Sequence, residues 1–167
     1  AVEQCVETGF EKIILSFGSR FNIEDTSQAN LDRYKGLTEY AHSKGIALGG
    51  YSLLASRKIG EGNDVVMPEG KVPAFGNSPC LGSEWGIEYF RKLYRFIEYT
   101  GIDNFEHDGS YPGDVCMSST HPGHEGLADS QWKQFKTISD FYKWSRERGV
   151  YLPVPDWNFL KETSKRH

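Results

Sequence analysis

No run of about eighteen apolar residues occurs in this chain, so nothing in the sequence is laid out as a helical membrane span. No segment has the pattern of a signal peptide. A basic stripe is also missing. Net charge is −4 over 167 residues, and the lysines and arginines are scattered apart from Lys165 and Arg166, beside His167. Without phosphate-neutralising charge, a nucleic-acid partner is not expected. No G-x-S-x-G elbow and no Ser–His–Asp order appear, which leaves serine nucleophile chemistry unsupported. Cysteines number three, Cys5, Cys80 and Cys116, an odd count without metal-ligand spacing. A Cys80–Cys116 bridge stays open for an exported protein; reduced packing cysteines are the preferred reading.

Aromatic residues, in contrast, make up 14% of the chain. Core packing accounts for most aromatics, but such a supply also suits flat sugar or ring surfaces. Apolar periodicity gives an alternating order. Residues 1–8 have the look of a helix end closed by Gly9. Residues 12–17, KIILSF, form a short apolar run of the kind found in strands covered on both faces. Residues 30–44 have helical spacing, with Ser27 or Asn30 as cap and Gly45 as stop. Residues 46–54, IALGGYSLL, are a second strand whose Gly49 and Gly50 suggest a bulge or close backbone packing. Ser83 caps a helix over 84–100, residues 102–107 are a third strand, and a fourth helix spans 130–148. Residues 150–155, VYLPVP, are a fourth strand, with Pro153 and Pro155 against it.

Three helices end in glycine and feed directly into a strand, whereas the segments after the strands, 55–83 and 109–129, are long. Short αβ and long βα connections are the asymmetry of a (β/α)8 TIM barrel, whose βα loops build the active site. A doubly wound open sheet shares the alternation, but FGSRFN does not match its phosphate loop. The fold expected is therefore α/β: a partial (β/α)8 barrel of about four consecutive strands, one catalytic domain over 1–167, truncated at both ends.

Polar groups collect at each strand's C-terminal end: Ser16, Ser19 and Arg20; Tyr51, Ser52, Ser56 and Arg57; Glu106, His107 and Asp108; Asp156 and Trp157. Alternation along the third strand sends Phe105 and His107 toward the helices and Glu106 and Asp108 toward the lumen. A carboxylate held at a strand end is well placed as a nucleophile, and Asp108 is the catalytic candidate. Its other reading is an Asx turn before Gly109. Asp156 and Trp157 suit a sugar's hydroxyls and ring face, or else an N-cap and a loop. Tyr111 lines the pocket or packs beneath its loop, and Asp114 organises that loop. His107, Asp108, Asp114, His121 and His124 invite a metal reading. Pro122 and Gly123 break the helix that paired ligands would need, and the second half of a zinc signature is missing. No metal ligand and no cofactor are expected, and residues 121–125 are read as a lid.

The stretch GSEWGIEYFRKLYRFIEYTGIDNFEHDGSYPGD, followed by DSQWKQF, FYKWSRERGVYL and VPDWNFL, resembles the α-galactosidase-like barrels of glycoside hydrolase clan D. It is similar above all to a group of bacterial carbohydrate-active proteins of polysaccharide degraders. The resemblance implies that the four strands are the second to fifth of the barrel and that Asp108 holds the nucleophile position. It implies a retaining α-glycosidase acting on oligo- or polysaccharide. Glu106 and His107 would then tune Asp108 and contact the substrate, and Asp156, Trp157, Arg57 and Tyr111 would hold the sugar. The acid/base would lie beyond residue 167, so that this stretch alone is expected to be inactive, and the location would be secreted or periplasmic. The clan's Lys-Trp-Asp or Lys-Tyr-Asp motif is replaced here by Glu106–His107–Asp108. Two other readings stand beside this one: a non-catalytic carbohydrate-binding barrel, and a metal-dependent hydrolase using His107, Asp108 and His121 or His124. The oligomeric state is not legible.

Overall fold

The computed structural model describes residues 1–60, 62–109 and 113–153. Its elements run α1 (Val2–Thr8), β1 (Lys12–Leu15), a 3-10 turn (Phe17–Ser19), α2 (Gln28–Ser43), β2 (Ala47–Leu53), α3 (Glu84–Thr100), β3 (Asn104–Asp108) and α4 (Ser130–Glu147). The strands form an open parallel sheet in the order β1-β2-β3, alternating with helices as in a piece of a TIM barrel. Among the described residues, no helix is long and apolar enough to cross a membrane.

Local chemistry sets the boundaries. Gly9 closes α1 in the left-handed region (φ 77°), and its amide reaches back to Val6. Ser27 precedes α2 without a capping side-chain bond; the Asn30 amide instead donates to the carbonyls of Asn22 and Asp25. Ser83 is a true cap for α3, with its Oγ accepting from the Gly86 amide at 3.2 Å. The first strand is shorter than its apolar run suggests. It stops at Leu15, and Phe17–Ser19 turn into 3-10 geometry with Arg20 left-handed at its end. The fourth strand is reduced, within the described residues, to one parallel bridge between Asn104 and Tyr151. There the Phe105 amide donates to the Tyr151 carbonyl and the Tyr151 amide to the Asp103 carbonyl. Pro153, two residues on, has no N–H to extend the ladder.

The chain divides into two compact units. The first comprises Ala1–Ser52, Phe90–His107 and Ser145–Pro153. It holds most of the sheet, a small apolar cluster of Val2, Ala41, Ile46 and Leu48, and a triad of edge-on and tilted rings, Phe21, Tyr34 and Phe96. Burying an aromatic side chain of this size contributes roughly 1.5–3 kcal/mol. The glycine pair in β2 makes this packing possible. A Cβ on Gly50 would lie 2.1 Å from the Phe21 ring, and one on Gly49 would lie 2.7 Å from the Asn104 Cβ. Close backbone approach, rather than a bulge, is the reason for two glycines in a central strand. The described part of the second unit comprises Leu53–Tyr89 and Asp108–Trp144, and contains both long segments that follow β2 and β3.

Candidate functional site

From Phe105 onward, burial along β3 follows the pleat. Phe105 and His107 have no exposed surface, while Glu106 and Asp108 are half-buried. The His107 ring packs against Phe105 at 5.1 Å and Phe90 at 6.4 Å between centroids. Complete burial pulls its pKa down to about 3, so the imidazole is neutral at ordinary pH. The expected substrate contact at His107 is therefore corrected: this side chain belongs to the core and has no face to offer a ligand.

Asp108 ends its strand. Its carbonyl accepts from the amide of Leu54, the residue after β2, at 2.8 Å, fixing the ends of β2 and β3 side by side. The chain then turns at Gly109 (φ 70°), where a Cβ would lie 2.6 Å from both the Ala55 amide nitrogen and the Ala55 Cβ. Only glycine fits this turn, and the tight register holds Asp108 at the strand tip. A narrow cavity of about 10 Å³ lies beside the Gly109 turn, lined by Leu54, Ala55, Ser78, Pro79, Leu81, Gly109 and Gly113. A roomier cavity, about 310 Å³, is bounded by Asp103, Gly101 and the Glu98–Arg148 ion pair. Those residues belong to the αβ turns before β3 and after α4. That is the end of the strands where barrel folds keep stability rather than chemistry, and the strand tip at Asp108 is the better candidate.

Arg57 is half-buried. Its guanidinium donates to the Leu53 carbonyl at 3.2 Å and sits 5.1 Å from the Trp85 ring, which itself stacks on Tyr89. Asp114, expected to organise its own loop, accepts from the amide of Ala74, in the segment after β2, at 3.0 Å. Tyr111, Asp156 and Trp157 lie outside the described residues.

The long segments are tied together by polar side chains that the sequence pattern did not single out. Gln134, buried on α4, accepts from the Leu81 amide at 3.1 Å and donates to the Asp114 carbonyl at 2.8 Å. Gln131 donates to the Gly113 carbonyl at 2.8 Å. The Asp64 carboxylate accepts from the amides of Ile59 and Gly60.

The expectation of no metal-ligand set also changes. His121 and His124 are not a lid; both are buried. They meet Cys80 and Cys116, and one donor atom from each of the four lies within 4.8 Å of all the others. Cys80 Sγ is 3.1 Å from His124 Nε2, and Cys116 Sγ is 3.5 Å from His121 Nδ1. Both cysteines are free thiols. The contact between the two sulfurs brings the Cys116 thiol down to about 4 and pushes the Cys80 thiol well above the ordinary thiol range. Spacing missed this group because Cys80 belongs to the segment after β2 and the other three to the segment after β3. His107, Asp108 and Asp114, the partners expected for the histidines, are not in it.

No known family pattern matches the chain, and no curated protein matches it in sequence. Solved structures do. The α-galactosidase of Lactobacillus brevis superposes on 92% of this chain with a TM-score of 0.59 at 12% identity. The O-GlcNAc hydrolase of Thermobaculum terrenum superposes on 92% with a TM-score of 0.50 at 14% identity. At such identities the likeness establishes the fold. The chain spans 23% of the first of these proteins and 30% of the second.

Proposed function

We propose that this chain is part of a glycoside hydrolase, a retaining α-glycosidase of the α-galactosidase-like kind, with Asp108 as its nucleophile. The observation that carries the reading is the position of Asp108: a half-buried carboxylate at the C-terminal tip of a parallel strand, ahead of a glycine-only turn. Barrel enzymes place their reacting groups at strand tips of this kind. The fold shared with an α-galactosidase supports the same reading.

In such a mechanism the Asp108 carboxylate attacks the anomeric carbon and displaces the leaving group, which a second carboxyl group protonates. That group then acts as base for the water that hydrolyses the glycosyl-enzyme, and the resemblance assigns it to a later strand. Glu106, on the same face of β3, raises the local negative charge. Arg57 is anchored to Leu53 and Trp85, so its role is to shape the wall of the site.

A metal-dependent hydrolase is the weaker reading. A catalytic metal keeps an open coordination position, with three protein ligands and a water. Here four protein donors converge, all of them buried, and His107 and Asp108 are not among them. Asp108→Asn in the protein carrying this chain, assayed with an activated aryl α-galactoside, tests the proposal. Loss of turnover with folding intact is expected; wild-type turnover would remove Asp108 from the role.

A further inference from the structure

We propose that Cys80, Cys116, His121 and His124 bind a zinc ion, and that this ion is a structural staple between the two long segments that follow β2 and β3. Zinc bound by two thiolates and two imidazoles is tetrahedral, with bond lengths near 2.3 Å to sulfur and 2.0–2.1 Å to nitrogen. Those lengths require donor–donor edges of about 3.3–3.8 Å. The Cys80–His124 and Cys116–His121 edges of this cluster are 3.1 and 3.5 Å, and all four donors lie within 4.8 Å of one another. Soft sulfur with imidazole in a four-donor set selects zinc over the oxygen-seeking cations.

The surroundings are built for thiolates. The Cys116 sulfur receives the backbone amide of Val66. The Val66 bond is 3.3 Å long. Amides aimed at a ligand sulfur are the outer-shell support such sites use. Ser130 Oγ accepts from the Cys116 amide at 2.9 Å and holds that residue's backbone. The charge also closes: two thiolates neutralise a divalent cation, so the buried site carries no net charge, which an interior tolerates far better than an isolated ion. In addition, His124 Nδ1 has no partner among the described residues. The ring's other nitrogen, Nε2, faces the cluster, 3.1 Å from Cys80 Sγ, where a metal would bind.

Backbone geometry brings the ligands into range. The Gly123 amide donates to the Gly82 carbonyl at 2.8 Å, next to both Cys80 and His124. Among the described residues, the segments joined have little regular structure of their own beyond an isolated Asp64–Pro79 bridge. A metal that crosslinks two such segments contributes its binding free energy to folding. All four positions are filled by protein atoms, so the ion does no chemistry, and the inference stands whether or not Asp108 is a nucleophile.

The test is metal analysis of the untagged protein purified without chelator, with Cys80→Ser, His124→Ala and Cys5→Ser beside it. Close to one zinc per chain is expected in the wild type and in Cys5→Ser, and almost none in the other two. Because the site variants can fail to fold, the wild type is also stripped and titrated with Co(II). Thiolate-to-cobalt charge transfer and intense tetrahedral d–d bands are expected, with a higher melting temperature on metal addition. A metal-free, folded wild type that gives no tetrahedral cobalt spectrum overturns the proposal. So does a Cys80–Cys116 disulfide in the freshly purified protein.

Discussion

Gly82 and Gly123 meet backbone to backbone, and neither has room for a side chain. A Cβ on Gly123 would lie 2.6 Å from the Gly82 Cα, and one on Gly82 would lie 2.6 Å from the His124 Cδ2. The two substitutions should therefore fail differently. Gly123→Ala pushes backbone against backbone and should cost about 1–3 kcal/mol, the usual range for overpacking. Gly82→Ala pushes on a movable ring and should mainly weaken metal retention by displacing His124. Urea unfolding and zinc content of each variant separate the two effects.

Gly109→Ala combines strain with a clash. The residue has φ 70°, and its Cβ would meet Ala55 backbone at 2.6 Å. Left-handed backbone costs a non-glycine residue about 1–2 kcal/mol. Overpacking adds about 1–3 kcal/mol. Stability should fall by roughly 2–5 kcal/mol if the two add. Relief of the clash would also shift Asp108, so kcat should drop in any variant that stays folded. Denaturant midpoints and steady-state kinetics on the same samples check both.

Much of the fold was legible because its signals are local. Helix α3 runs from Glu84 to Thr100 as its apolar stripe and the Ser83 cap require, and Gly49 and Gly50 mark close packing in β2. Local signals misjudge an element when partners decide it. Phe17 belongs to an apolar run yet turns into 3-10 geometry, where its ring meets Tyr51 edge-on at 5.0 Å. The candidate site divides along the same line. Asp108 could be placed at a strand tip from alternation alone, whereas the burial of His107 depends on Phe90, far away in sequence. The pairing of Cys80 with His124 spans 44 positions and follows no spacing rule.

Gln134 shows what a missed residue can do. Gln134→Ala would leave the Leu81 amide and the Asp114 carbonyl without their partner inside the protein. An unsatisfied buried group costs about 1–3 kcal/mol. The buried Leu81 amide alone makes the expected loss about 1–3 kcal/mol. Gln134→Glu is the sharper control: it keeps an acceptor for Leu81 but sets a carboxylate against the Asp114 carbonyl, and should be no better than alanine. Thermal melts of the pair decide this.

His107 makes stability depend on pH. Its folded pKa, about 3, is below the ordinary value of 6.5 because burial penalises the charged ring. The unfolded chain therefore binds a proton below about 6.5 that the folded chain refuses until about 3. This contribution to stability is complete above pH 6.5 and is lost as pH falls through that window, at up to about 1.4 kcal/mol per pH unit. His107→Leu should flatten the slope between pH 6 and about 4 relative to wild type. Equal slopes in urea titrations across that range would show that the ring takes up its proton without leaving the core.

The strongest check on Asp108 is to remove its carboxylate and supply another nucleophile. Asp108→Gly should lower turnover of an aryl α-galactoside by about 10³-fold or more, as loss of a residue that acts in the reaction generally does. Azide admitted to the vacated space approaches from the side the carboxylate had occupied, opposite the leaving group. A substrate of α configuration should then give a β-glycosyl azide, the product of one inversion, and nothing in the variant can hydrolyse it by the normal second step. Were Asp108 instead the acid/base, the true nucleophile would still form the glycosyl-enzyme, and azide would attack that intermediate to give the α-azide. The anomeric configuration of one isolated product, read by NMR, thus distinguishes the two roles.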